Sequence, residues 1–598
     1  MRTMIASMAH EPSYVAGSFS APEIGVHVAW LTHPNSFAFR ESGAHEGGAL
    51  GVAFAGECFD VPAECRGRYI VRNYMDRGEA FISSLNGLFS GVVVDRRRGR
   101  SIIFNDRYSS ERIYYHKNKD ALYFASEIKA LLRVLPELRK FDNEGVAQHL
   151  AYGCTMADKT LFHGVSRLPG ATCWLWDRDG RDRRTPYFST ADFESLGPLS
   201  PRQFSTQFNE TFTKVLPKYG DSDEPLGISL TGGLDTRMIM ACLEPAASRQ
   251  VCYTFAGSSD NLLDSRIAAK VAQRLGLGHH IIRIGKPFLD RFSEHLDSTV
   301  TVTDGNAGTL GAHEIYLNRQ ARNLAGIRLT GNFGSEVLRS ASTFKPLGLD
   351  SSLFEPEWQR RIGDQETRAD PKRGIHPTTF SAFREVPWNL FGTLAACRSQ
   401  VTFRTPYLDN ELVALAYRTP DALRGSAAPA LDLIRSRNPS LGAIPTDRGR
   451  TLDEGGIKHV ARRVSSELSF KLDYMHKEGL PSSLAHFSFV LSALDRIGLL
   501  GQHKFLAYRL WFQNELRTHV ADVLNSSGTF GMPFWNRPFL ERMLQAHVRG
   551  TRNFVQEIGT VLTFESIQRN LLSIACPNNE RKDPVIPRFT GANGPAYV

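Results

Sequence analysis

From Leu226 onward the chain alternates short apolar runs with helical stretches, and two of the runs end in glycine-rich turns. Strands that alternate with helices build a parallel sheet with crossover helices, which excludes an all-helical or all-antiparallel second half. Leu226-Gly-Ile-Ser-Leu230 is followed by Thr231-Gly-Gly233 and a helical stretch from Asp235 to Leu243. Val251-Cys-Tyr-Thr-Phe255 is a second run. Asp264 to Leu275 reads as a helix with Ile267, Ala268, Val271, Ala272 and Leu275 on one face, closed by Gly276. His280 to Ile284 and Ile327 to Leu329 are further strands, with a helix from Ile315 to Leu324 between them. From about residue 380 the pattern is mostly helical, and no internal repeat is visible.

The first third reads differently. Short runs at Gly25–Trp30, Leu50–Phe54, Ser90–Val94, Ser101–Asn105, Ile113–His116, Leu122–Ala125 and Thr172–Trp176 are separated by tight turns, which predicts antiparallel pairing. Helices are expected at Ser126–Leu135 and Asn143–Tyr152, capped by Ser126 and Asn143. Residues 178–200 are rich in Arg, Asp, Ser, Thr, Pro and Gly and read as a linker. A chain of 598 residues predicts two to four domains at roughly 150 residues each. The linker divides it into 1–190 and 200–598.

Apolar residues make up 42% of the chain, enough for large cores, so global disorder is excluded. The net charge of +9 is small for this length and does not mark a nucleic-acid binder. The Arg-dense stretches Arg96–Arg100 and Arg181–Arg184 read as exposed turns. No run is long and apolar enough for a membrane span, and the first residues show no leader pattern. The eight Cys form no Cys-x-x-Cys pair, which leaves neither a zinc ribbon nor a thioredoxin motif. A reduced, cytoplasmic protein is expected.

Ligands of open parallel sheets bind beyond the carboxyl ends of the strands. At the first such end, Ser229-Leu-Thr-Gly-Gly-Leu-Asp-Thr236, two glycines leave backbone N–H groups facing outward at a helix N-terminus, a place suited to an anion. Thr231 and Thr236 can donate to phosphate, and Asp235 can hold Mg²⁺. No Gly-Lys-Ser/Thr is present, so this is not a Walker loop. A plain Gly-Gly turn capped by Asp is the bland alternative. Thr330-Gly-Asn-Phe-Gly-Ser-Glu336 is a second turn of this kind. Tyr253-Thr-Phe255, leading to Asp264, is where an adenine edge would be read.

The chain resembles the asparagine synthetases. Gly87-Leu-Phe-Ser90, Asn105-Asp-Arg107, Tyr114-Tyr115 and Phe124-Ala-Ser-Glu-Ile-Lys-Ala-Leu-Leu132 look like that family's glutaminase-type domain. Leu230-Thr-Gly-Gly-Leu-Asp-Thr236 looks like its pyrophosphate loop, usually Ser-Gly-Gly-Leu-Asp-Ser. Asp264 to His280, Arg404-Thr-Pro-Tyr-Leu-Asp409 and His476-Lys-Glu-Gly-Leu-Pro481 are similar to later elements, in the family's order, from about residue 45 to 485.

The resemblance implies an αββα sandwich of N-terminal-nucleophile type, then a parallel-sheet synthetase domain of the PP-loop, adenine-nucleotide-hydrolase-like kind with a helical C-terminal part. It implies an ATP- and Mg²⁺-dependent ligase that adenylates a carboxylate, small-molecule or peptide, and passes it to ammonia or an amine. A homodimer is compatible with the family; nucleic-acid and membrane partners are not expected. Ser229, Thr231, Gly232, Gly233, Leu234, Asp235, Thr236, Phe255, Thr330 and Gly331 would hold the nucleotide and pyrophosphate. Asp235 and Ser335 would hold the metal. Lys477, Asn332 and Glu336 would be catalytic, with Lys477 neutralising charge as the adenylate forms.

The departures carry equal weight. Where the family's glutaminase has Cys at position 2, this chain has Arg2. Its Asn-Gly-Glu reads Ala55-Gly56-Glu57 and its Asp-Gly reads Asn86-Gly87. Cys58 is expected to be a packed side chain, and the glutaminase to be inactive. In the synthetase site the family's Ser-Gly-Glu-Gly-Ala-Asp-Glu becomes Thr330 to Glu336, with Asn332 at an amine-activating Glu position and Ser335 at a metal-ligand position. A tailoring amide synthetase, a peptide cyclase and a nucleotide-binding scaffold remain open beside asparagine synthesis.

Overall fold

The computed structural model describes the chain apart from residues 63–64, 66, 247, 258–261 and 369, and most of 448–504 and 574–598. A helix, Arg2–Met8, precedes an antiparallel ribbon of β1 (Val15–Ala21) and β2 (Val26–Thr32). The main N-terminal sheet is antiparallel and six-stranded. It comprises β3 (Gly43–His45), β4 (Leu50–Phe59), β5 (Asn86–Asp95), β6 (Arg100–Asn105), β10 (Thr172–Asp177) and β11 (Asp182–Pro186), in the order β11–β10–β6–β5–β4–β3. A smaller sheet holds β7 (Tyr114–Lys117), β8 (Leu122–Ala125) and β9 (Ser166–Arg167), in the order β8–β7–β9.

Strand alternation explains the layering. Phe89 and Val93 of β5 pack with Phe54, Ile102 and Phe104 against Ile70, Val71 and Tyr74 of the helix Tyr69–Arg77. Val92 and Val94, on the other face, pack with Ala53, Ile103 and Trp174 against Phe19 and Val28, and Tyr115, Leu122 and Phe124 join them. Beyond this second layer, Tyr114 and Ala125 face Ile128 and Leu131. The result is the expected helix–sheet–sheet–helix stack.

Three local expectations are corrected. The helix Ile128–Val134 is not capped by Ser126: the Asp304 carboxylate, distant in sequence, accepts from the Ile128 and Lys129 amides at 2.6 and 3.0 Å. Asn143 is the first helical residue and Asp142 is the cap, accepting from the Gly145 amide at 2.8 Å. The 178–200 stretch is partly ordered strand, since β11 pairs antiparallel with β10. Arg181–Arg184 is therefore not a simple turn. Arg184 lies over the Trp174 ring at 4.1 Å, and Arg183 bonds Glu79. Charged side chains of this kind also keep an edge strand from pairing with another chain.

The second sheet is parallel, with β12 (Leu226–Ser229), β13 (Gln250–Ala256), β14 (His279–Arg283), β15 (Ile327–Thr330) and β16 (Thr402–Arg404) in the order β14–β13–β12–β15–β16. The fifth strand, β16, was not foreseen. β12 and β15 are buried along their whole length, as the inner strands of a covered sheet must be. Helices dominate after β16 among the described residues, and some pack back on the N-terminal part: the rings of Phe141 and Phe564 lie 5.8 Å apart. No helix among the described residues is long and apolar enough to cross a membrane.

Candidate active site

The chain runs outward from β12 to β13 and β14, then returns to place β15 on the other flank of β12. The strand order reverses between β12 and β15, so the turns that follow them leave the sheet side by side and frame a crevice. Their approach is very close. A β-carbon on Gly331 would lie 2.7 Å from the Thr236 amide nitrogen and 2.9 Å from Asp235 Cβ, and one on Gly334 would lie 2.6 Å from Asp235 Cγ. Only glycine lets the second turn rest on the first.

The first turn runs from β12 into the helix Leu234–Cys242, whose N-cap, Gly233, offers no side-chain acceptor. The two glycine amides are not left facing outward as expected: the Gly232 amide donates to Asp264 Oδ1 at 3.0 Å, and the Gly233 amide donates to Thr231 Oγ1 at 3.2 Å. Thr231 and Thr236 hydroxyls are 3.3 Å apart. Burial pushes the Asp264 carboxyl up to about 6, with Asp447 adding to the rise and the Gly232 bond opposing it. Arg237, which sequence reasoning missed, fixes the turn: its Nη2 donates to Gly232 O at 3.3 Å and Pro445 O at 3.2 Å, and its Nη1 donates to Ile444 O. The Asp447 amide donates to Gly232 O at 3.2 Å. Ser229 is buried and its hydroxyl accepts from Arg328, whose guanidinium also lies 4.9 Å over the Phe255 ring.

The second turn contains a buried phenylalanine in the left-handed region, Phe333 at φ 72°. Such a conformation costs roughly 1 kcal/mol or more in a non-glycine residue and is held here by packing against Phe403. Thr330 Oγ1 donates to Asn332 Oδ1 at 2.9 Å, and Thr405 Oγ1 donates to the Asn332 carbonyl at 2.8 Å. Glu336 is half-buried. Desolvation pushes its carboxyl up to about 7, Glu385 and Asp235 add to the rise, and Arg339 opposes it.

Asp235 and Ser335 are brought together: Ser335 Oγ donates to Asp235 Oδ2 at 2.9 Å. A third group joins them. Arg339 Nη2 donates to Asp235 Oδ2 at 2.8 Å and to Ser335 Oγ at 2.6 Å. One carboxylate and one hydroxyl already bridged by a guanidinium form a donor set that does not fit a divalent ion held by this pair. Lys477 lies outside the described residues.

The residues at the family's glutaminase positions are committed elsewhere. Glu57 is held by Arg404 through two bonds, Nε to Oε2 at 2.7 Å and Nη2 to Oε1 at 2.8 Å. Asn86 Nδ2 donates to Asp60 at 2.8 Å and to Asp409 at 2.7 Å, while its Oδ1 accepts from the Asn410 amide at 3.1 Å. Cys58 is buried, and burial pushes its thiol up. A cavity of about 760 Å³ is lined by residues that include Met4, Ile5, Trp30, Gly56, Glu57, Thr402 and Thr405. Thr405 is the residue bonded to the Asn332 carbonyl.

A glutamine amidotransferase domain description matches residues 64–188, and an asparagine synthase description matches residues 208–379. The glutamine-hydrolysing asparagine synthetase B of Escherichia coli is 23% identical over 237 residues, covering 38% of this chain and 37% of that protein. The glutamine-hydrolysing asparagine synthetase 3 of Arabidopsis thaliana is 26% identical over 444 residues, covering 71% of this chain and 64% of that protein. The chain spans between 37% and 58% of the length of the first three curated relatives it matches. A solved glutamine phosphoribosylpyrophosphate amidotransferase from B. subtilis is 9% identical, covering 64% of this chain and 92% of that one, at a TM-score of 0.22. The two matched domains, in this order, together with the asparagine synthetases it resembles, support the asparagine synthetase family for this chain.

Proposed function

We propose that this chain is a carbon–nitrogen ligase of asparagine synthase type, with 1–190 as a glutaminase-like domain and 200–598 as the synthetase domain. In this reading it binds ATP in the crevice between the two glycine turns. A carboxylate oxygen attacks the α phosphorus, the bond between the α and β phosphates breaks, and pyrophosphate leaves onto the Thr231–Thr236 turn. Ammonia or a substrate amine then attacks the acyl adenylate, giving an amide and AMP. The observation that supports this is the contact of Gly331 and Gly334 with Asp235 and Thr236, which brings two glycine turns together at the reversal of strand order, where open parallel sheets bind ligands.

The site residues fall into roles consistent with this chemistry. Thr330 and Gly331 border the position of AMP. Glu336, with its carboxyl near 7, suits a base that takes the amine's proton. Asn332 lacks the charge to do so. Lys477, by its motif, would offset negative charge as the adenylate forms. The amine enters as ammonia or on the substrate itself, because Glu57 and Asn86 are bonded to Arg404 and Asp409 rather than open to glutamine.

The test supplies ATP with candidate acids and ammonia or amines, and identifies the nucleotide products. AMP and pyrophosphate, with ¹⁸O from the carboxylate appearing in AMP, support the reading. ADP and phosphate as sole products refute it. Measurable ATP binding with no turnover for any acid would leave a nucleotide-binding scaffold.

A further inference from the structure

Arg339 ends the short helix Gly334–Arg339, four residues after Ser335, and so comes back over it. Arg339 and Asp235 side chains are only 15% and 16% exposed, which holds the ion pair away from solvent screening. The arginine keeps bonding capacity in reserve: its Nη2 lies 2.8 Å from Asp235 Oδ1, while its Nη1 is buried with no hydrogen-bond partner among the described residues. An unpaired buried polar atom is costly, and a guanidinium donor left without a partner beside the Thr231–Thr236 turn points to a missing polar partner. A divalent ion on the same carboxylate would face a fixed guanidinium, an unfavourable approach of like charges.

We propose that the Arg339 guanidinium supplies at the Asp235–Ser335 pair the positive charge that a metal ion would otherwise bring, and that its free Nη1 binds an oxygen of the pyrophosphate group. This rests on the reading of the Thr231–Thr236 turn as the pyrophosphate site. A guanidinium suits this role because it is permanently charged and its donors form a planar fork that matches phosphate oxygens. Asp235 then orients the arginine, Ser335 braces it, and Glu336 stands one residue along the same turn.

The experiment is titration of the purified full chain with inorganic pyrophosphate, followed by calorimetry, in EDTA and again with Mg²⁺. The wild type is expected to bind in EDTA, with an affinity within about threefold of that in Mg²⁺. Arg339→Met should weaken binding in EDTA by about tenfold or more, and Arg339→Lys, which keeps charge without the fork, should fall between. The lysine variant also decides the matter if the methionine variant does not fold. Binding that needs Mg²⁺ and is indifferent to Arg339 overturns the proposal while leaving the pyrophosphate reading intact. Absence of pyrophosphate binding in both conditions removes that reading, and the proposal with it. Stoichiometric Mn²⁺ bound to the nucleotide-free wild type and lost in Asp235→Asn, read by electron paramagnetic resonance, also overturns it.

Discussion

Arg404 and Glu57 form a two-pronged ion pair that joins the edge strand of the parallel sheet to the antiparallel sheet of the N-terminal part. Both side chains are 9% exposed. The guanidinium also donates from Nη1 to the carbonyls of Tyr219 at 3.2 Å and Asp221 at 2.7 Å. Removing one partner strands a buried charge. Arg404→Ala is therefore expected to destabilise the chain by about 3–5 kcal/mol. Replacing both residues with leucine should cost less than that single change, since no uncompensated charge remains. Thermal or denaturant unfolding of the three proteins checks the order; a double variant less stable than Arg404→Ala would refute the argument.

The same interface predicts the fate of glutamine. Glu57 and Asn86 stand where the family's glutaminase would present its oxyanion turn and its anchor for the glutamine amine. Their polar atoms are spent on Arg404, Asp60, Asp409 and Asn410. Cys58 is buried and its thiol is pushed up, which disfavours the thiolate. The protein is expected to release no glutamate from glutamine, while any amide synthesis proceeds with ammonium salts. Glutamate release that a cysteine-directed inhibitor abolishes would show the expectation wrong.

Gly331→Ala tests whether the crevice depends on the two turns touching. The added carbon would meet the Thr236 amide nitrogen at 2.7 Å and Asp235 Cβ at 2.9 Å, atoms of a helix start with little room to move. Overpacking of this kind costs about 1–3 kcal/mol and forces the turns apart. Nucleotide affinity should fall by about tenfold for each 1.4 kcal/mol lost at the site. Gly363, in the helix Pro356–Thr367, where an added Cβ would meet nothing within 4 Å, serves as the control position. An Ala at 331 that binds ATP as the wild type does would remove the turn contact from the site.

The parallel sheet was legible because its strands and helices differ in period and its turns carry paired glycines. β16 was missed because Thr402–Arg404 is only three residues long, and its strand state comes from pairing with β15 rather than from its own pattern. Helix starts were misread where the acceptor is remote: Asp304 caps a helix 176 residues away, and no local signal carries that. Candidate site residues were legible by motif, and the crevice brings Asp235, Ser335, Thr330 and Gly331 together. Arg237 and Arg339 were invisible for a physical reason. Both are helix arginines of ordinary appearance, and only tertiary geometry turns them onto Gly232 O and Asp235.

Glu336 gives the site a pH signature. Desolvation raises its carboxyl to about 7 in the folded chain, against an ordinary value of 4.5, with Glu385 and Asp235 pushing the same way and Arg339 opposing. The folded state thus holds a proton that the unfolded state gives up at lower pH. Stability associated with this group is fully present below the ordinary value, is lost as pH rises from about 4.5 through about 7, and stays constant above that. Glu336→Gln never ionises and escapes the loss. Its stability relative to the wild type should climb between pH 5 and 7, by on the order of 1 kcal/mol after allowance for the solvent that reaches a half-buried group, then level off. Unfolding curves of both proteins at several pH values measure the gap. If Glu336 also takes the amine's proton, wild-type turnover should fall off below about pH 7, and the small residual turnover of Glu336→Gln should lack that limb. Parallel stability curves across pH 5 to 8 would mean that Glu336 titrates as an ordinary carboxylate, and would remove it as a base suited to neutral pH.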